Sequence, residues 1–167
     1  LLLSSTAFSA PSLFEIEVGK MSESEFKEVY KNAEEKGVSR YTGGTNYAVS
    51  PNDIDFGAVI SDVIVVFDTD KTVSAVIAPL EVSGYDRIKS ILNKKYNPTD
   101  DVYYDEGVGK MEKSAAFEKE SVVMKLFKPV SLNAVYVIYA TREFENAKEF
   151  DQTQRQKREK QHEEQQF

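Results

Sequence analysis

The sequence predicts an α+β protein, with two helices packed on an antiparallel sheet as one or two helix-plus-sheet units and a polar C-terminal helix or tail. Three observations predict it. Helix-capping signals with i, i+3, i+4 apolar spacing mark residues 23–36 and 84–96. Runs rich in Val and Ile at 59–67 and 72–78 read as central strands. The runs at 114–117, 122–127 and 134–140 are joined by connections too short for parallel crossovers, so they form an antiparallel meander.

Residues 14–18, FEIEV, alternate apolar and charged side chains as a half-buried strand should. In the first helix, Ser22 and Glu25 have the spacing of a capping box, Met21 and Phe26 that of a hydrophobic staple, and Gly37 supplies the stop. Its apolar face is Phe26, Val29, Tyr30 and Ala33. The segment 39–56 is broken by Gly43-Gly44 and Ser50-Pro51-Asn52-Asp53 into short extended pieces. Ser83 and Asp86 cap the second helix, whose inward face is Tyr85, Ile88, Ile91, Leu92 and Tyr96, and Asn97-Pro98 ends it. After the meander, Phe144, Ala147 and Phe150 can dock one short helical face. Beyond Phe150 no apolar residue appears until Phe167, so a protruding helix or a disordered tail is expected rather than a coiled-coil seam.

A chain of 167 residues, 41% hydrophobic and 29% charged, can bury a core without staples, and one domain over residues 11–141 followed by a tail over 142–167 is expected. A net charge of −7 and a pI near 4.9 disfavour nucleic acid as a partner, because phosphate binding needs a concentrated basic face. Cysteine is absent, which removes disulfides, thiolate nucleophiles and Cys-based zinc sites. The single histidine, His162, lies in the polar tail and leaves Ser-His-Asp chemistry and multi-histidine metal sites without parts.

The chain begins LLLSSTAFSAPS, which reads as the end of an apolar signal core with a small-residue cleavage region over residues 1–10. Cleavage after Ala7 or after Ser9 fits the small-x-small rule better than cleavage after Ala10, which would leave Pro11 first. No cysteine follows for lipid attachment, and no later run reaches the ~20 apolar residues that span a bilayer. A periplasmic or secreted protein without a stable membrane anchor is the expectation.

VIVVFDTDKTV, residues 63–73, carries the one chemical motif. Apolar residues followed by D-x-D-x-T look like the opening motif of the haloacid dehalogenase-like phosphohydrolases. That resemblance would make Asp68 the nucleophile and Asp70 the general acid and base, with magnesium bound; the family's usual glycine position is Lys71 here. Such a site needs the C-terminal edge of a parallel sheet, whereas residues 72–78 already read as the next strand. Four polar residues between two such runs suit an antiparallel hairpin. A calcium loop fits less well, since Val73 and Pro79 stand at positions six and twelve. The preferred expectation is therefore no catalytic residue, no cofactor and no metal, with Asp68 and Asp70 as turn residues.

Residues 97–111 form a long acidic and aromatic connection. Tyr103 and Tyr104, flanked by Asp105 and Glu106, would offer large contact area to a basic protein surface. At VGKMSESEFKEVY, residues 18–30, where a glycine precedes a capped helix after a strand, the chain resembles small envelope proteins of SmpA/OmlA-type or beta-lactamase-inhibitor-protein-like layout. The resemblance implies a non-catalytic exported protein that acts by protein binding or envelope assembly. The alternatives are the Asp68/Asp70 phosphohydrolase and a small-ligand pocket between sheet and helices.

Overall fold

The structure is a computed structural model that describes residues 10–100 and 109–167. Its described residues form an α+β fold of three helices, an eight-stranded antiparallel sheet and a separate two-stranded hairpin. The hairpin is β1 (Ser12–Leu13) and β2 (Ile16–Glu17), followed by α1 (Glu23–Val29). Then come β3 (Glu34–Val38), β4 (Gly43–Val49), β5 (Val63–Asp68) and β6 (Val73–Leu80). α2 (Tyr85–Lys95) leads to β7 (Asn97–Thr99), β8 (Met111–Lys119), β9 (Val122–Pro129) and β10 (Val135–Thr141). α3 (Arg142–Gln166) closes the chain. The sheet order is β3-β4-β5-β6-β10-β9-β8-β7, so the two meanders run inward from opposite edges and meet where β6 pairs with β10.

Strand alternation gives the sheet two unlike faces. One is covered by α1, α2 and the hairpin. Phe26 of α1 is fully buried against Tyr47 and Phe67, at ring-centroid distances of 5.4 and 5.3 Å. Burying such a side chain contributes roughly 1.5–3 kcal/mol. Tyr85, Ile88 and Leu92 of α2 join the same core over the second meander. The other face carries a smaller cluster of Val66, Ala75, Phe127, Ile138 and Ala140, into which α3 inserts Phe144.

The capping box forms as the spacing predicts: Glu25 N–H donates to Ser22 Oγ, and Ser22 N–H to Glu25 Oε2. The helix it starts is shorter than expected. α1 stops at Val29, which is 54% exposed, so the four-residue apolar stripe never forms. Glu34, Glu35 and Lys36 are good helix formers, yet residues 34–38 pair with β4, and Lys36 Nζ reaches Glu34 Oε2 at 2.6 Å along one side of the strand. Tertiary pairing has overridden propensity there. Gly37 is therefore not a helix stop but a strand residue at φ 98°, beside the register shift in β3–β4.

Residues 14–18 are not one strand either. Phe14 and Glu15 are the two central residues of a tight turn, with φ of 53° and 64°, and Leu13 and Ile16 face each other across it. A two-residue turn with both φ positive favours Asn-Gly, so Phe and Glu are there at a cost of about 1–2 kcal/mol each. Two contacts offset it: Tyr30 Oη donates to the Phe14 carbonyl at 2.7 Å, and the Phe14 ring lies against Phe56.

The second helix begins at Tyr85 after a 3-10 turn over Val82–Gly84, and no side chain caps it. Ser83 and Asp86 thus do not form the expected cap, although Asp86 still sits in the first turn, where a carboxylate favours the helix dipole. Ile91 is 48% exposed rather than inward-facing. The β8–β9–β10 meander forms as read from the sequence. α3 is one continuous helix whose buried residue is Phe144; Phe150 is 67% exposed rather than buried on the expected docking face.

Candidate functional site

β5 and β6 are antiparallel neighbours, and the DTDKT motif is the turn between them. Lys71 N–H donates to the Asp68 carbonyl, Asp68 N–H donates to the Thr72 carbonyl, and Lys71 has φ 61°. This is the three-residue hairpin loop built from a turn and one left-handed residue. The Asp68 carboxylate accepts from Thr72 N–H at 2.9 Å and so braces its own hairpin. The motif residues are thus not at a parallel-sheet edge, where the phosphohydrolase resemblance would put them. Among the described residues, no three His, Cys, Asp or Glu side chains converge as metal ligands.

Asp70 points instead toward a shallow cleft. Residues 19–23 pair with the start of β6: Gly19 N–H donates to Val73 O, Val73 N–H to Met21 O and Glu23 N–H to Lys71 O. This brings the first turn of α1 beside the hairpin tip. The cleft between them, of about 430 Å³, is lined by Ser22, Glu23, Ser24, Lys27, Asp70 and Lys71, with Thr72 at its base. Below it, Tyr47 Oη donates to Glu23 Oε1 at 2.5 Å, and Lys27 lies 3.3 Å from the same oxygen. The Tyr47 hydrogen bond, with Lys27 assisting, holds the Glu23 carboxyl below its ordinary range. Burial, and then the bond to Glu23, pushes the Tyr47 hydroxyl up.

A second surface lies at the opposite end of β5. The strained β1–β2 turn seats Phe14 against Phe56, ring centroids 5.9 Å apart, and Phe56 is 36% exposed. Ile60, 46% exposed, lies on the same connection between β4 and β5. Glu81 N–H donates to Ala58 O, which brings the end of β6 alongside. Glu15, Asp53, Asp55, Asp62 and Glu81 are all exposed on these segments, and residues 41–70 contain no Lys or Arg. Lys36, which is paired to Glu34, also senses Asp62. These segments thus combine partly exposed apolar side chains, Phe56 and Ile60, with five exposed carboxylates. Periodicity gave no signal for it, because Phe14 and Phe56 meet only through tertiary contact.

Tyr103, Tyr104, Asp105 and Glu106 lie outside the described residues. Asp53 ends a short 3-10 turn over Pro51–Asp53 and Asp55 follows it, as the Pro51 punctuation suggests. Among the described residues no helix is long and apolar enough to cross a membrane. The chain matches no protein-family model, and no curated protein or solved structure is significantly similar to it.

Proposed function

We propose that the chain is a non-catalytic domain of an exported protein and acts by binding a basic partner protein. The observation that carries the proposal is the Phe14–Phe56 surface. A turn that disfavours Phe and Glu seats the half-buried Phe14 ring against the partly exposed Phe56, with exposed carboxylates on the same segments and no lysine or arginine on the adjoining β4–β5 connection. Strained surface turns are kept where the arrangement they produce is used. Partly exposed aromatics ringed by charge provide contact area at the centre of an interface and steering at its rim.

The strand order also supports it. Each half of the sheet is a helix followed by a four-strand meander, joined at β6–β10, which suits the two-unit reading and the layout of the envelope binding proteins that residues 18–30 resemble. In this proposal the protein works in a periplasm or outside the cell. Tyr103 and Tyr104, with Asp105 and Glu106, would extend the same chemistry. A small-ligand role is the second reading, favoured by the cleft beside Asp70.

The test is affinity capture from envelope extract with wild type, Phe56→Ala and Tyr103→Ala/Tyr104→Ala, each checked for folding. One basic protein retained by wild type and lost with Phe56→Ala is the expected result. Identical captures by all three chains would contradict binding at either aromatic site.

A further inference from the structure

α3 covers the second sheet face in an unusual way. That face is apolar, with Val66, Ala75, Phe127, Ile138 and Ala140 buried and Ile64, Ile77 and Tyr136 half-buried. The helix laid over it offers one buried apolar side chain, Phe144. Its other half-buried positions run Glu145, Ala147, Lys148, Asp151, Gln152, Gln154 and Arg155, a mostly polar stripe. Among the described residues, at least three ion pairs fasten it. Arg142 Nη2 meets Glu118 Oε2 of β8 at 3.0 Å, Lys125 Nζ of β9 meets Glu145 Oε2 at 2.6 Å, and Arg40 Nη2 donates to both Asp151 oxygens at 3.0 and 2.9 Å.

The first and third pairs join partly exposed groups, which solvent and salt screen. The second is nearly buried, yet Glu145 Oε1 is buried with no hydrogen-bond partner, and so is Asn46 Oδ1 on the same sheet face. A helix that belonged to the cooperative core would match apolar face to apolar face, as α2 does opposite with Tyr85, Ile88 and Leu92.

We propose that α3 is a releasable strap, latched by ion pairs, which lifts from Arg142 onward while the sheet, α1 and α2 stay folded. Release uncovers the apolar face that α3 occupies in the closed state. Local opening of this kind is expected where few apolar contacts hold an element and its charges are exposed. This inference does not depend on the Phe14–Phe56 surface being a binding site.

Native-state hydrogen–deuterium exchange on the full chain tests it, comparing amides of residues 145–152 with those of β6 and β10 at low and high salt. The expected result is exchange in α3 at least about tenfold faster than in β10, with the gap widening in high salt and in Arg40→Gln/Arg142→Gln. Binding of a hydrophobic dye should rise in parallel. A common exchange rate for α3 and β10 in wild type and variant, at both salt concentrations, would overturn the proposal and make α3 part of the cooperative core.

Discussion

The Tyr47 hydroxyl donates to Glu23 Oε1 at 2.5 Å, tying the centre of β4 to the first turn of α1 across a separation of 24 residues. Through it, the capping-box helix, the sheet and the hairpin tip share one polar contact beneath the cleft. Its loss should be felt in stability and in its pH dependence.

Tyr47→Phe keeps the ring against Phe26 and Phe67 but removes the donor to a carboxylate. A loss of about 1.5–3 kcal/mol is expected, the range for hydrogen bonds to charged groups. The Glu23 carboxyl is lowered in the folded protein. Its contribution is therefore fully present above the ordinary carboxylate pKa and is lost as pH falls through the folded value. Urea midpoints across pH 2 to 7 should show a steeper acid limb in wild type than in Tyr47→Phe.

Gly44→Ala should be among the most damaging small substitutions. A Cβ at this position would lie 2.1 Å from the Phe67 carbonyl oxygen and 2.4 Å from that of Asp68, both backbone atoms of β5. The strands must separate or the chain must shift, so a loss of more than about 2 kcal/mol is expected. Gly57→Ala, where nothing lies near, is the control and should change the denaturation midpoint little.

Asp68→Asn retains an oxygen that can accept from Thr72 N–H, so stability should stay within about 0.5 kcal/mol of wild type. Asp68→Ala removes the acceptor and should cost roughly 0.5–1.5 kcal/mol. Neither substitution should change turnover of a phosphate monoester with magnesium. Activity that disappears in Asp68→Asn would instead support the phosphohydrolase alternative.

Truncation after Arg155 removes residues that are exposed throughout and leaves the Asp151 contacts to Arg40 and Arg155 in place. The melting temperature should fall by no more than about 2 °C, in line with the small effect of surface changes. A larger fall, or a concentration-dependent melt, would show that the distal helix pairs with another chain.

How much of this was legible depended on range in the sequence. The Ser22–Glu25 capping box, the hairpin at Asp68 to Thr72 and the β8–β10 meander follow from local hydrogen bonds and short connections, which spacing encodes. Alternation in FEIEV could not separate a strand from a tight turn, because the positive φ of Phe14 and Glu15 is supported by distant Tyr30 and Phe56. Residues 34–36 looked helical because Glu and Lys favour helices, while the partner that makes them part of a strand is β4. The Tyr47–Glu23 bond and the Phe14–Phe56 surface are contacts between remote segments, beyond the reach of periodicity.

The binding account is tested most directly by NMR titration of the full chain with a short amphipathic peptide of alternating lysine and leucine, beside a control with glutamate replacing lysine. Saturable shifts confined to Phe14, Glu15, Phe56, Ile60 and their neighbours, weakened by salt and abolished by Phe56→Ser with the fold intact, are the predicted result. Equal shifts with the glutamate peptide, or none at these residues with either, would contradict it.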